Sequence, residues 1–212
     1  MSIISLNNIC KKFDEKEIFD NYNLTVENGE FVSIMGKSGK GKTTLLNIIG
    51  LLEKPDSGTV EICGVKNPRF DGPKGTMLLR NNISYLFQNY GLIDSETVEY
   101  NLSLSTKFLG YRKNEIEEKH KEALSKVGLE GFEKKKVYQL SGGEQQRVAV
   151  AKIFLKPSKI VLADEPTGSL DAENENTIME MLKLLNEEGR TIVVVTHSQT
   201  VAKFANRHIV LE

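Results

Sequence analysis

The sequence predicts an α/β fold with a mostly parallel sheet, an N-terminal antiparallel β region and an inserted α-helical subdomain. Two apolar runs, IVLAD at 160–164 and TIVVVTH at 191–197, lack alternation and are typical of strands buried on both faces of a parallel sheet. The amphipathic segment NENTIMEMLKLLNEEG between them completes a βαβ crossover. About seventy residues with mostly helical signals precede the first run, and they predict the inserted subdomain.

The elements before that insertion each have their own signal. Residues 2–30 hold short β-like runs broken by polar turn residues, which indicates an antiparallel hairpin region. FVSIM at 31–35 and ISYLF at 83–87 predict strands of the sheet. TTLLNIIGLL, between them, carries apolar residues on all sides, as a buried helix does, and we expect it to end near Pro55.

The insertion contains two helical segments, ETVEYNLSLSTKFLG and RKNEIEEKHKEALSKVGL. The second has an apolar face formed by Ile116, His120, Ala123, Leu124 and Val127. Because His120 belongs to this face and His208 to the expected last strand, neither is assigned to chemistry. We predict one domain, 1–212, with a core of 1–88 and 157–212 and a helical subdomain of 89–156.

Composition limits the classes of partner. The 212 residues carry a net charge of -1, so no basic excess indicates a nucleic-acid partner. Cys10 and Cys63 are far apart, which argues against disulfide and thiolate metal sites, and we interpret both as small buried hydrophobic residues. The start lacks a signal-peptide pattern, and no run of about 18 apolar residues occurs. We therefore expect a cytoplasmic protein without direct membrane insertion, which reaches a membrane only through a partner.

The segment after the first buried strand has the spacing GxxxxGK[ST], between a predicted strand and a predicted helix. Glycines there let backbone N–H groups surround the phosphates of a nucleotide such as ATP, and the helix N-terminus adds partial positive charge. We expect Lys42 to reach the β- and γ-phosphates and Thr43 to coordinate Mg²⁺. The predicted nucleotide-binding residues, here called the phosphate loop, are Gly36, Lys37, Ser38, Gly39, Lys40, Gly41, Lys42, Thr43 and Thr44.

Lys37 and Lys40 are not fixed by this motif. Each is either part of the nucleotide site or a solvated surface lysine, and the second interpretation is favoured by their residue type.

A second group of polar residues follows the predicted strands. Asp164 and Glu165 come at the C-terminal end of IVLAD, where open α/β sheets place their ligands. Asp164 can hold Mg²⁺ through its water shell, and Glu165 can polarise an attacking water. Gln88 offers an amide that can meet both the metal and that water, and His197 can contact the γ-phosphate or position the two carboxylates.

One further segment, LSGGEQQRV at 140–148, is here called the signature. Together with the motifs above and with Ser169-Leu170-Asp171, it makes the whole chain resemble an ATPase subunit of the ABC transporter family. The resemblance implies a P-loop NTPase core, ATP and Mg²⁺ as ligands, and ATP hydrolysis. Glu165, His197 and Gln88 would be its catalytic residues, and Thr43, Gln88 and Asp164 its metal ligands.

The signature also implies a dimer. Its residues Ser141, Gly142, Gly143 and Glu144 begin a predicted helix and form another anion-binding turn. In the family, two subunits pack head-to-tail around two ATP molecules, and each signature covers the partner's γ-phosphate. The expected partners are therefore a second copy of the chain and an integral-membrane permease, through which it would lie on the inner face of the cell membrane.

The resemblance also implies, less specifically, a residue that stacks on the adenine ring and a class of transported cargo. Phe13 falls where the family has an aromatic residue stacking on adenine, but a core phenylalanine gives the same pattern. The segment around Gln88, YLFQNYGLIDSETVEYNLSL, resembles the corresponding segment of ATPases that serve macrolide, antimicrobial-peptide or bacteriocin export, or lipoprotein release. An ABC ATPase that drives a non-transporting membrane complex, for wall-hydrolase control or antibiotic sensing, would have the same motifs. Repair and translation ATPases fit less well, because the chain has neither a long coiled coil nor a second ATPase domain.

Overall fold

A computed structural model describes residues 1–211 of the chain. Two sheets form its framework. The first is antiparallel, with strand order β2-β1-β4-β5, and the second is parallel, with order β6-β7-β8-β3-β9. The strands are β1 Ser2–Phe13, β2 Lys16–Glu27, β3 Phe31–Gly36, β4 Ser57–Ile62, β5 Val65–Lys66, β6 Ile83–Leu86, β7 Ile160–Asp164, β8 Thr191–Val195 and β9 Arg207–Leu211.

Seven α-helices accompany the sheets within the described residues. They are α1 Lys42–Ile49, α2 Pro73–Asn81, α3 Val98–Thr106, α4 Lys113–Lys126, α5 Gly142–Leu155, α6 Ala172–Glu187 and α7 Gln199–Ala202, with a 3₁₀ turn at Val137–Gln139. Helices α3 and α4 pack on α5, and α5 packs on α6. No helix among residues 1–211 is long and apolar enough to cross a bilayer.

The parallel sheet is buried on both faces. Along β7, Val161 and Ala163 pack with the helices α3 to α6, whereas Ile160 and Leu162 pack with α1 and the antiparallel sheet. This alternation between two cores explains why the strand reads as a continuous apolar run, because each face of the strand meets a different apolar layer. The predicted α/β fold, with its parallel sheet and N-terminal antiparallel region, is confirmed.

Three details differ from the sequence-based expectations. Helix α1 ends at Ile49, with Gly50 as its C-cap residue, well before Pro55, because Leu51 adopts a positive φ of 60°. Cys10 and Cys63 are both only partly buried, so their interpretation as buried residues is wrong, although Cys63 packs against the core. In β1 it is Ile9 that points to the core, while Cys63 lies in the turn after β4.

Candidate nucleotide-binding site

A cleft of about 1050 Å³ opens where β3 passes through the phosphate loop into α1. Gly41 begins that helix in a left-handed conformation, with φ of 87°. A Cβ there would lie 2.5 Å from the Ile18 side chain and 2.9 Å from the Phe19 ring, so any larger residue would clash with these two side chains. The phosphate-loop residues that line the cleft are Ser38, Gly39, Gly41, Lys42, Thr43 and Thr44.

The Lys42 ammonium lies over the loop itself. Its Nζ donates to the carbonyl oxygens of Gly36 at 2.8 Å and of Lys37 at 3.2 Å. These two bonds satisfy the charge locally, and arriving phosphate oxygens would offer stronger, charge-assisted acceptors in their place.

The other lysines of the loop are exposed to solvent. Lys37 and Lys40 do not line the cleft, and neither forms an ion pair with any residue in 1–211. Lys16, at the start of β2, does line the cleft, and its Nζ donates to the Gly39 carbonyl at 3.2 Å. No motif marks Lys16, since its approach to the loop depends on how the two sheets pack.

The end of β7 brings a carboxylate to the loop. Thr43 Oγ1 donates to Asp164 Oδ1 at 3.2 Å. Burial raises the pKa of Asp164, an effect that the Thr43 hydrogen bond opposes and the charge of Glu165 reinforces. A cation beside these two oxygens would relieve that unfavourable burial of negative charge.

The residues present suit Mg²⁺ bound mainly by a nucleotide. Thr43 and Asp164 supply hard oxygen atoms, which Mg²⁺ prefers, and residues 1–211 contain no group of three or more His, Cys, Asp or Glu side chains that could hold a metal by themselves. Few protein ligands are expected where phosphates and water complete the coordination.

Glu165 and His197, here called the catalytic pair, contact each other directly. Glu165 Oε1 and His197 Nδ1 lie 2.8 Å apart, with the Glu165 side chain largely buried and His197 exposed. The backbone of Glu165 has φ of 44°, which is strained for a residue with a Cβ. Its N–H donates to the Val195 carbonyl, which fixes the residue against the end of β8.

Gln88 does not join this network. It is exposed just after β6, it does not line the cleft, and its amide lies beside Gly168 rather than in a hydrogen bond to Asp164 or Glu165 within the described residues. The structure thus brings Asp164 to Thr43 of the phosphate loop and Glu165 to the cleft, with His197 in contact with Glu165, and leaves Gln88 at the side.

The signature lies apart from the cleft. Ser141 caps α5 by accepting from the Glu144 N–H at 3.3 Å, while the Glu144 carboxylate accepts from the Ser141 N–H at 2.7 Å. That second bond lowers the pKa of Glu144. Tyr90 packs against Gly142, and its hydroxyl lies 3.3 Å from Ser169 Oγ, so the segment after Gln88 contacts the signature and the segment at 169–171.

Phe13 lies at the rim of the cleft. Its side chain is 43% exposed, and the Lys11 ammonium stands 4.8 Å from its ring centroid. It is therefore not part of the buried core, which was the alternative interpretation of this residue.

Comparisons with known proteins agree with this geometry. Residues 19–168 match the family model described as ABC transporter. The macrolide export ATP-binding/permease protein MacB of Mannheimia succiniciproducens is 38% identical over 99% of this chain, and that of Campylobacter jejuni is 40% identical over 98%. The chain spans about a third of the length of these relatives, 33% and 32% respectively.

A relative of similar size is the uncharacterized ABC transporter ATP-binding protein MJ0796 of Methanocaldococcus jannaschii, 44% identical over 99% of this chain and 93% of its own length. A dimeric structure of MJ0796 superposes with a TM-score of 0.88 over 98% of this chain and 94% of that one. A dimeric post-hydrolysis structure of MJ0796, with bound ADP and phosphate, gives 0.89 at 42% identity over 99% and 94%. The chain therefore belongs to the ABC transporter family, as one of its ATPase cassettes.

Proposed function

We propose that the chain is the ATP-hydrolysing subunit of a membrane transporter, which dimerises around two ATP molecules and powers the export of a peptide, bacteriocin, drug or lipoprotein. The observation that carries this proposal is the convergence of Asp164 and Glu165 on the cleft of the phosphate loop, with His197 in contact with Glu165. The export direction is supported by the relatives named for macrolide export, and the dimer by the two dimeric structures of MJ0796.

The proposed chemistry assigns a role to each side chain. Lys42 moves from the carbonyls of Gly36 and Lys37 to the β- and γ-phosphates. Glu165 accepts a proton from the water whose oxygen attacks the γ-phosphorus, and the bond to the β-phosphate oxygen breaks to give ADP and phosphate. His197 orients the Glu165 carboxylate and can contact the γ-phosphate. Mg²⁺, held by Thr43 and Asp164 when bound, would neutralise phosphate charge.

The second copy completes the site. The signature does not line the cleft of its own chain. The N–H groups of Ser141 and Glu144 are used in the cap of α5, so those of Gly142 and Gly143 are the ones proposed to bind the γ-phosphate of ATP held by a partner. Loss of that phosphate would remove the group that both chains bind, so hydrolysis would let the dimer open.

The permease is proposed to dock in a second cavity, here called the docking groove. It has a volume of about 260 Å³ and is lined by residues of α2, β6 and α5, with Leu52 and Phe87 exposed on it. Lys152 of α5 and Lys156, which directly follows α5, also line it. An apolar segment with an acidic side chain would complement this lining. Through this contact the chain would lie on the inner face of the membrane.

Glu165→Gln tests the chemistry. The variant should bind ATP, lose turnover by at least about a hundredfold because the proton acceptor is gone, and accumulate as an ATP-dependent dimer. Phosphate release and light scattering measure the two effects, with Glu180→Gln, an exposed position of α6, as the control. Turnover that survives in Glu165→Gln would refute the assignment of Glu165.

The permease is tested separately by affinity purification of the tagged chain from detergent-solubilised native membranes. A permease should co-purify with the wild type and with Phe70→Asp, an exposed phenylalanine outside the groove, and be lost with Phe87→Asp. Equal recovery with both variants would place the permease contact elsewhere.

A further inference from the structure

Glu175, on the first turns of α6, joins two loops of the site through one carboxylate oxygen. Its Oε2 accepts from Thr167 Oγ1 at 3.1 Å and from Ser198 Oγ at 3.4 Å. Thr167 is buried, with 5% of its surface exposed. Glu175 forms no ion pair with residues 1–211, so hydroxyl groups are the partners that this carboxylate has in the described chain.

The two hydroxyls belong to the loops that carry the catalytic pair. Thr167 lies two residues after Glu165, and Ser198 directly follows His197. These loops are therefore linked twice, once by the contact between Glu165 and His197 and once by the bridge Thr167–Glu175–Ser198.

The first link is a single hydrogen bond between the reacting groups themselves. Only Oε1 of Glu165 contacts His197, so Glu165 can bind the attacking water through Oε2, but a turn of His197 toward the γ-phosphate would break the 2.8 Å contact. At that moment the strained backbone of Glu165 depends on its remaining anchors. The bridge through Glu175 does not involve the reacting groups, so it persists when the contact opens.

We infer that Glu175 is a positioning residue for ATP hydrolysis, which keeps the loops of Glu165 and His197 in register when their own hydrogen bond breaks. This inference rests on the roles proposed above for that pair. An alternative role is a purely structural one, in which Glu175 stabilises α6 as an acidic residue near the helix N-terminus, as Glu173 also does.

Steady-state ATPase kinetics separate these roles. Glu175→Ala should lower kcat by about tenfold, because two hydrogen bonds to a charged acceptor are lost. KM for Mg·ATP should change less than about twofold, since the phosphate-loop contacts are untouched. Glu175→Gln, which keeps an acceptor oxygen, should retain at least about half of the rate. Glu173→Ala removes the neighbouring charge and should behave as the wild type.

A double variant keeps the test independent of folding defects. Thr167→Val removes one donor with little change of volume and should lower kcat by itself, and adding it to Glu175→Ala should cause no further loss, because both act through one bridge. Additive losses, a kcat of Glu175→Ala within about twofold of the wild type, or an equal loss in Glu173→Ala would each overturn the inference.

Glu165→Gln in the same assay distinguishes the two proposals. Turnover that survives in Glu165→Gln refutes the assigned pair and, with it, the basis of the inference. Turnover lost in Glu165→Gln but retained in Glu175→Ala refutes the positioning role alone.

Discussion

At the scale of single residues, the phosphate loop shows how much a motif determines. The spacing of the motif singled out Lys42 among three lysines, and the structure places its ammonium over the loop and leaves Lys37 and Lys40 in solvent. The sequence could predict this difference because the motif specifies one lysine at the start of a helix. It could not predict Lys16, which reaches the loop from the other sheet.

Lys42→Ala should abolish useful ATP binding. A charge pair at about 4 Å contributes about 4 kcal/mol in a partly screened site, which corresponds to a loss of affinity on the order of a thousandfold. Titration with a fluorescent ATP analogue measures the dissociation constant, and Lys37→Ala, an exposed lysine of the same loop, is the matched control. Unchanged affinity in Lys42→Ala would refute its role as a phosphate ligand.

Phe13 is expected to stack on the adenine, because its ring is exposed on the cleft and not packed in the core. Phe13→Ala should weaken ATP binding by about threefold to tenfold, the typical contribution of an aromatic pair. Phe13→Tyr keeps the ring face and should bind as the wild type. The idea fails if Phe13→Ala loses no affinity in the same titration, or if it unfolds at a much lower temperature.

Among the helices and strands, those with a strongly periodic or wholly apolar sequence are predicted best. The strands at 160–164 and 191–195 were recognisable because neither face is exposed, and α4 because one face carries its apolar residues. The sequence patterns predict no helix or strand for residues 57–82, which form β4, β5 and α2 in the structure. Its β4 is recognisable as a strand mainly through its pairing with β1, an interaction between distant residues.

The lysine at the C-terminal end of α5, Lys156, should make stability depend on pH. Burial, reinforced by the charge of Lys152, lowers the pKa of Lys156 from 10.5 to about 8. Between these values the unfolded chain binds more protons than the folded one at this site, so the contribution to the free energy of unfolding rises with pH from about 8 to 10.5.

Chemical denaturation of the wild type and of Lys156→Met across that pH range tests this effect. As pH rises, the free energy of unfolding of the wild type should increase relative to that of Lys156→Met, because the buried Lys156 side chain loses its charge. Lys159→Met, an exposed lysine just before β7, should follow the wild type. A difference that stays constant with pH would mean that the Lys156 ammonium is not destabilised by burial.

At the scale of the whole molecule, the single chain provides two half-sites that do not meet. The phosphate loop lies in the cleft, whereas the signature begins α5 away from it and contacts Tyr90 and Asn174 instead. The resemblance to the family implied this arrangement, and the dimeric structures of MJ0796 agree with it. Local sequence signals could not have shown it, since the complementary surface belongs to another copy. The division into a core and a subdomain at 89–156 stays a prediction.

Lys40 is expected to make the stability of the ATP-bound dimer depend on salt concentration. It is exposed in the phosphate loop, and in a head-to-tail dimer we expect it to face a carboxylate of the partner, such as Asp171 or Glu144. Hydrogen bonds from backbone N–H groups lower the pKa of both these carboxyls. They therefore keep their negative charge as the pH falls, and an ammonium nearby would attract them.

ATP-driven dimerisation in a Glu165→Gln background should therefore weaken with rising salt, and less steeply once Lys40 is replaced by serine. Pairs between charges in solvent are screened beyond a Debye length of about 10 Å at 0.1 M and about 3 Å at 1 M salt. The dimer dissociation constant, measured by light scattering across this range, should give a smaller salt slope for Lys40→Ser than for the parent. Lys37→Ser removes an equal charge from the same loop and should keep the parent slope. Identical slopes for Lys40→Ser and the parent would leave Lys40 as a solvated surface residue with no part in closing the dimer.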